Sequence, residues 1–109
     1  MQLGELGITF GSDDYVLKLN QEYLDHDYYT DIITFDYVEQ GIVSGDIVIS
    51  IDRVRENAKE FGVSFTEELN RVIIHGVLHL LGYRDTSDEE KTKMREKENY
   101  HLEKLAEIE

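Results

Sequence analysis

The stretch HGVLHLLGYRD, residues 75–85, places two histidines one helical turn apart ahead of a glycine and an aspartate. Residues at i and i+4 lie above one another on a helix, so the rings of His75 and His79 can reach one ion. Gly82 is expected to end that helix and to let the chain fold back towards the histidines. Asp85, which stands where a third histidine would be sought, can then become the third ligand, since carboxylates also bind zinc.

The surrounding helix supports this interpretation. Ser64 and Glu67 form a predicted capping box, and the helix is expected over residues 65–81. Residues 72–81 are apolar on nearly every side, which is typical of a central buried helix. A single buried histidine is more often a satisfied core residue than a ligand, but a pair at this spacing, followed by a glycine and a carboxylate, predicts a metal site. The polar exceptions on this helix fall along one stripe, namely Glu68, Arg71, His75 and His79.

The other elements follow from periodicity and turn residues. Strands are expected at residues 6–10, 30–38 and 45–51, with the stretch EQGIVSG as a hairpin connection between the last two. Helices are expected at about 13–24, capped by Ser12 or Asp13, at 52–61, and at 88–108. His26 lies in a polar loop and is expected to be exposed, whereas His101 lies on the inward stripe of the last helix and is expected to pack in the core.

Composition limits the classes of protein that this chain can be. Its 109 residues suit one domain, and the absence of cysteine excludes disulfides and thiolate zinc sites and fits a cytoplasmic location. No apolar run is long enough for a membrane helix. The net charge is −13, and residues 1–52 carry eleven acidic residues against the single base Lys18. Such a chain is not expected to hold bare RNA tightly by neutralising phosphates, and the acidic half is most simply a solvated surface.

The metal site could belong to several classes of protein. The two histidines, the glycine and the last ligand have the same spacing as in the metzincin peptidase motif. A zinc peptidase uses a glutamate beside its first histidine as general base, and here that position is Gly76, which argues against peptidase activity. Two histidines and one carboxylate also match the facial triad of iron oxygenases, although the helical spacing of the histidines disfavours that class.

Three blocks of sequence resemble the YbeY family of bacterial ribosomal-RNA maturation endoribonucleases. They are TDIITFDY, GDIVIS and HGVLHLLGY, at residues 30–37, 45–50 and 75–83, and Met94 and Glu98 match the last helix of the family. The resemblance implies an α+β fold, with a small mixed sheet packed on helices and a central buried helix that carries the HxxxH motif. It also implies one zinc ion per chain, no nucleotide cofactor, and a role in maturation of the 3′ end of small-subunit rRNA and in ribosome quality control. The implied partner is rRNA, met on the small ribosomal subunit with its basic proteins, in the cytoplasm.

The chain departs from the family pattern at three places. The third family histidine is Asp85, and a site with a carboxylate ligand is less positive, which predicts a weaker activator of water. The family usually has an arginine after its N-x-x-(Y/F) motif, where this chain has Leu24, so a natural clamp for phosphate is lost. Family members also usually have a strand and a helix before the segment matching residues 6–10, so the single domain at 1–109 is expected to lack them. These departures favour an alternative in which the protein is a non-catalytic ribosome-assembly factor with a structural metal.

Two further residues are candidates for the surroundings of the site, and no catalytic residue is assigned. Asp46, at a strand start, can orient a ligand histidine as a second-shell carboxylate or can cap a turn. Arg84 is either a phosphate contact beside the metal or a solvated loop arginine.

Overall fold

Three strands and four helices make up the fold, in a computed structural model that describes residues 2–24, 30–37 and 42–108. The elements are β1 (Gln2–Gly11), α1 (Asp13–Leu24), β2 (Ile32–Asp36), β3 (Ile42–Ser50), α2 (Ile51–Phe61), α3 (Phe65–Leu80) and α4 (Asp88–Ile108). This arrangement confirms the expected α+β class. No helix in the described ranges is long and apolar enough to cross a bilayer.

The sheet is mixed, with strand order β1-β3-β2. β1 runs parallel to β3, with Ile8 beside Ile47, and β2 runs antiparallel to β3, with Ile33 beside Val48. β1 is longer than the predicted segment 6–10, and its pairing with β3 is irregular between Leu3 and Leu6. The irregularity explains why the first part of β1 lacks a clean alternation of apolar side chains in the sequence.

The central strand β3 is covered on both faces, with successive side chains directed to opposite sides of the sheet. One face of β3 packs Ile47 and Ile49 with Val54 of α2 and with Val72 and Leu80 of α3. The other face packs Val48 and Ile33 against Val16 of α1. The predicted central helix is therefore α3, and its polar stripe lies to one side of this core.

Helix ends follow the sequence closely. Ser12 and Ser64 cap α1 and α3 with their hydroxyl oxygens, which accept the backbone N–H groups of Tyr15 and Glu67. Gly82, with a φ of 102°, occupies the left-handed region just after α3, as the sequence predicted. α2, expected from residue 52, begins one residue earlier with Ser50 as its N-cap, and the Asp52 carboxylate accepts the backbone N–H of Asp13.

Of the two remaining histidines, His101 lies in the described part of the chain. His101 is exposed and its ring contacts Tyr100, so its predicted core packing is wrong. The described buried positions of α4 are Met94 and Glu98, so the inward face of the helix no longer packs into the core at His101. His26 lies outside the described residues.

Candidate metal centre

The rotation of α3 directs His75 and His79 away from the sheet. Gly76, between them, is buried against β2 and β3, and a Cβ built there would lie 2.7 Å from Ile32 Cδ1 and 3.2 Å from Ile47 Cδ1. The close approach fixes which face of the helix meets the sheet. The two histidines, one turn apart, consequently share an adjoining face, with Nε2 atoms 3.0 Å apart.

The chain turn after α3 brings the predicted third ligand to the same point. Gly82 and Tyr83 donate backbone N–H bonds to the carbonyls of His79 and Leu78, which tightens the turn. Asp85 Oδ2 lies 3.5 Å from His75 Nε2 and 3.4 Å from His79 Nε2. Among the side chains the structure describes, these three form the one group of histidines and carboxylates close enough together to hold a metal ion.

Hydrogen bonds on the far side of each ring fix the tautomers. His75 Nδ1 donates to Glu98 Oε2 at 2.6 Å, and His79 Nδ1 donates to the carbonyl oxygen of Tyr83 at 3.0 Å. A carbonyl and an ionised carboxylate only accept hydrogen bonds, so each Nδ1 carries the proton. Both Nε2 atoms therefore direct lone pairs towards each other and towards Asp85.

This donor set fits a metal ion. Three electron-rich atoms repel one another at these separations unless a cation lies between them. Two ligands of a tetrahedral zinc ion, each at about 2.0–2.1 Å, are themselves about 3.3–3.4 Å apart. The measured separations of 3.0–3.5 Å lie close to that value.

Glu98 joins α4 to the site. Its carboxylate is 4% exposed and accepts hydrogen bonds from His75 and, at 3.1 Å, from Arg71, which also donates to Asn99 at 3.0 Å. Burial by itself would raise the pKa of Glu98, but the hydrogen bonds from His75 and Arg71 outweigh it and lower the pKa. The same hydrogen bond raises the pKa of His75 despite the desolvation of its ring. Glu98 is thus an ionised carboxylate that orients one ligand, an arrangement common around metal-bound histidines.

Two clefts meet at this centre. The first, which we call the α4 cleft, has a volume of about 390 Å³ and lies among α2, α3 and α4. The second, the α1 cleft, has a volume of about 470 Å³ and lies among α1, β2 and α3. The residues that line both are Asp31, Ile32, His75 and Asp85. Two candidate ligands, His75 and Asp85, therefore line both clefts, and His79 lines the α1 cleft.

Comparison with known proteins decides the family. A sequence profile described as Endoribonuclease YbeY matches residues 1–106. The chain belongs to this family. A relative from Bacteroides thetaiotaomicron, named Endoribonuclease YbeY, is 52% identical over 101 residues, covering 93% of this chain and 74% of the relative. One of the same name from Flavobacterium psychrophilum is 54% identical over 99 residues, covering 91% of this chain and 71% of the relative.

A solved structure agrees with this assignment. The solution structure of a protein from Thermotoga maritima has a TM-score of 0.67 and 36% sequence identity with this chain. The match covers 90% of this chain and 65% of the Thermotoga chain, so this chain spans just under two thirds of that protein. The chain is accordingly a member of a family of endoribonucleases, which are hydrolytic nucleases, with the fold expected of it.

Residues that depart from the YbeY pattern lie at the clefts. Leu24, at the position of the usual family arginine, is 38% exposed and lines the α1 cleft with Asn20 and Thr34. The side chain of Arg84 is 74% exposed, beside the ligand loop, and comes no closer than 4.0 Å to Glu90. Leu24 thus lines the same cleft as the three candidate ligands.

Asp46 has a different place from the one suggested by the sequence. It is exposed on β3, on the face of the sheet that packs against α1, whereas α3 covers the opposite face. Its carboxylate lies beside Tyr37, where desolvation and then the charge of Asp46 raise the pKa of the tyrosine. The histidine-orienting carboxylate is Glu98 instead, and the second-shell interpretation of Asp46 is wrong.

Two carboxylates of the site were missed as functional residues in the sequence. Glu98 was noticed only as a match to the family, and Asp31, at the bend before β2, was not singled out. Asp31 is half-buried at the junction of both clefts, and burial raises its pKa although the nearby His75 opposes the shift. Both come from elements far from residues 75–85 in the chain, so no spacing rule could have found them.

Proposed function

We propose that this chain is a zinc-dependent endoribonuclease that cleaves single-stranded RNA during maturation of the 3′ end of small-subunit rRNA, and that it contributes to ribosome quality control. The observation that carries the proposal is the convergence of two histidine Nε2 atoms and one carboxylate oxygen at the junction of two clefts. Membership of the YbeY family supports the reaction class, and the resemblance of the sequence blocks supports the substrate.

In the proposed reaction, the protein holds the metal ion and orients the histidine rings that bind it. When bound, zinc supplies a Lewis acid for a phosphoryl oxygen and makes a neighbouring water more acidic. His75, His79 and Asp85 would hold the ion, and Glu98 and the Tyr83 carbonyl keep both imidazoles in the tautomer that leaves Nε2 free to bind. The arrangement is set before substrate arrives, which lowers the cost of reorganisation during reaction.

Asp31 is the carboxyl group placed to handle a proton. It lines both clefts together with His75 and Asp85, and Asn57 Nδ2 lies 3.5 Å from its Oδ2. A carboxyl group beside the reacting phosphate can accept a proton from the attacking oxygen and return it to the leaving oxygen. We assign that role to Asp31 within the proposed reaction.

The charge of the chain favours a substrate held in a ribosomal particle. A net charge of −13 opposes free association with an isolated polyanion. Basic ribosomal proteins offer the complementary surface, so the acidic half can dock while the cleft receives an RNA end. The proposed site of action is therefore the cytoplasm, where small subunits are assembled.

A second candidate function rests on Leu24. Because this apolar residue lines the α1 cleft where the family usually has an arginine, the chain could be an assembly factor whose metal is structural. A peptidase is a weaker alternative, because Gly76 packs on Ile32 and Ile47 and leaves no room for the glutamate of zinc peptidases.

A nuclease assay separates these functions. The purified chain would be incubated with a single-stranded RNA spanning the 3′ end of small-subunit rRNA, with zinc and with a chelator, beside His79→Ala and Leu24→Arg. The proposal expects cleavage that needs metal, is lost in His79→Ala and rises in Leu24→Arg. Absence of cleavage by the native chain, on naked RNA and on small-subunit particles, would contradict the proposal and favour the assembly factor.

A further inference from the structure

The α4 cleft has a basic wall. Three cations line it, Arg71 from α3 and Lys91 and Arg95 from α4. Arg71 is occupied, because its guanidinium donates to Glu98 and to Asn99. Lys91 and Arg95 are four residues apart on one helix, so their side chains extend from the same face towards the same opening.

These two cations differ from Lys93 and Lys59, which each lie close to a carboxylate. Lys93, on another face of α4, lies 3.7 Å from Glu89, and Lys59 on α2 lies 3.8 Å from Glu56. Within residues 2–24, 30–37 and 42–108, neither Lys91 nor Arg95 has a carboxylate within ion-pair distance. Because they also line the same cleft, Lys91 and Arg95 offer a place for an external anion.

The carboxylates of the α4 cleft do not cancel this charge at its mouth. Glu68 and Glu98 are each 4% exposed, so they belong to the floor, whereas Lys91 and Arg95 are exposed. Asp85 is a candidate metal ligand, and the fourth carboxylate, Asp31, is half-buried where the two clefts meet. Burial raises the pKa of Glu68, although the charges of Arg71 and Arg95 oppose the shift.

The α1 cleft has the opposite character. Its described lining contains no lysine or arginine, and it presents hydroxyl, amide and apolar groups such as Thr30, Asn20 and Leu24. Such a lining suits a base and a ribose better than a phosphate. Among the described residues that line the two clefts, the lysine and arginine side chains all belong to the α4 cleft.

We infer that Lys91 and Arg95 hold the phosphodiester next to the one at the metal centre, so that single-stranded RNA crosses the centre with this phosphate in the α4 cleft and a nucleoside in the α1 cleft. The inference rests on the proposed function and adds which cleft receives the neighbouring phosphate and which receives the nucleoside. Lys91 and Arg95 are positioning residues here: they contact a phosphate that does not react. They supply from α4 part of the phosphate binding that Leu24 cannot supply from α1.

The test measures binding, so that it does not depend on cleavage. The zinc-loaded chain would be titrated with a fluorescent 2′-O-methyl RNA oligonucleotide at several salt concentrations. Lys91→Ala/Arg95→Ala would be compared with Lys93→Ala/Lys104→Ala, which makes the same change in net charge on the same helix. Each phosphate contact on a single strand contributes about 0.7 to the slope of log affinity against log salt, so two contacts predict a slope flatter by about 1.4. Affinity at low salt should fall roughly tenfold in the cleft variant and little in the control.

Oligonucleotides with one neutral methylphosphonate linkage make the test specific. One such substitution beside the central phosphate should weaken binding to the native chain and should have little further effect on the Lys91→Ala/Arg95→Ala variant. An equal loss in both double variants would overturn the inference, because it would show only the effect of net charge. Competition by a polyglutamate peptide as strong as that by the RNA would also overturn it and would point to an acidic protein partner. Failure of the native chain to bind the oligonucleotide would overturn it as well. Metal-dependent cleavage in the nuclease assay would leave the proposed function standing in each of these cases.

Discussion

Each ring of His75 and His79 has one nitrogen engaged by the protein and one facing the other ring. The engaged nitrogens donate to Glu98 and to the Tyr83 carbonyl. The facing nitrogens and Asp85 then form a set of lone pairs that a proton or a cation can stabilise. At the residue scale the site depends as much on the two hydrogen-bond acceptors as on the three candidate ligands.

Glu98→Gln tests the contribution of the orienting carboxylate. The amide can still accept the hydrogen bond from His75 Nδ1, but the negative charge that makes the ring a better ligand is lost. Zinc affinity should fall about 10–100-fold, the range found when such outer partners are changed. A competition titration with a chromophoric chelator measures the affinity, and Glu103→Gln, exposed on the same helix, is the control. Unchanged affinity in Glu98→Gln would show that Glu98 only packs α4 against α3.

Sequence reasoning found the ligands of the candidate site but not what surrounds them. The spacing of His75, His79 and Asp85 is local, because one helix and one turn place all three. Glu98 reaches the site from the next helix and Asp31 from the bend before β2, through packing that no local rule encodes. Its position at a strand start beside Gly45 makes Asp46 a candidate from sequence, but strand alternation directs it to the face of the sheet opposite α3.

At the scale of elements, α3 lies close to the sheet because glycines leave room for it. A Cβ built on Gly45 of β3 would lie 2.5 Å from the Phe35 carbonyl oxygen and 2.8 Å from Leu80 Cδ2. The first contact is with backbone, which cannot move without disturbing the β2–β3 pairing. This close packing holds the end of α3, and with it the ligand turn, against the sheet.

Gly45→Ala should therefore destabilise the fold. Overpacking at a site of this kind costs about 1–3 kcal/mol. Urea unfolding, followed by circular dichroism, should show a lower midpoint with an unchanged slope. Ser44→Ala changes the neighbouring position without adding volume and should have a much smaller effect. Equal stability of Gly45→Ala and the native chain would mean that β2 and α3 are less tightly packed than described.

The start of α4 is a pH-sensitive cap. Ser87 Oγ accepts the Glu90 N–H at 3.1 Å, while Glu90 Oε1 accepts hydrogen bonds from Thr86 Oγ1 at 2.8 Å and from the Ser87 N–H at 3.0 Å. The hydrogen bond from Thr86, followed by that from Ser87, lowers the pKa of Glu90 below its ordinary value of 4.5. A carboxylate whose pKa is lowered by folding stabilises the folded chain at pH values above its ordinary pKa. This contribution is lost as the pH falls from the ordinary pKa through the lower pKa of the folded state.

Glu90→Gln removes this titration while keeping an oxygen at the cap. The native chain should be more stable than Glu90→Gln at neutral pH, and the difference should shrink as the pH falls below 4.5. Thermal unfolding across this range measures it, with Glu89→Gln, an exposed neighbour, as the control. A difference that stays constant down to about pH 3 would show that the Glu90 charge has no part in the cap.

The helix boundaries were predictable from the sequence to within a residue or two. The strand boundaries and the strand order were harder to predict. Caps and glycines mark both ends of α3, and α4 was expected over residues 88–108, where it lies. β1 extends four residues earlier than residues 6–10, because its extra pairs are with β3, about forty residues away in the chain. The order β1-β3-β2 depends on such distant pairing and cannot be deduced from any one segment.

For the whole molecule, charge is divided between the two halves of the chain. Residues 1–52, which include β1 and α1, carry eleven acids and one base, while the remainder carries thirteen acids and ten bases. The cations that line the clefts belong to α3 and α4. Residues 1–52 therefore carry most of the net negative charge, while the remainder of the chain, which supplies the three candidate ligands, is close to neutral.

The proposed ribosomal role predicts a preference for particles over free RNA. The chain should bind small-subunit particles more tightly than the same rRNA stripped of protein, because the acidic half contributes only when basic proteins are present. Both affinities should weaken as salt rises. Co-sedimentation at two salt concentrations measures the preference. Tighter binding to naked rRNA than to particles would contradict the assignment of the acidic half to protein contact.

The proposed function depends on a metal ion held by His75, His79 and Asp85. Elemental mass spectrometry of the native chain and of Asp85→Ala, both purified without added metal, tests it most directly. About one zinc per chain is expected in the native protein, as in other single-ion sites, with strong depletion in Asp85→Ala. Full zinc content in Asp85→Ala, or no metal in the native chain even after zinc is added, would contradict the metal centre described above.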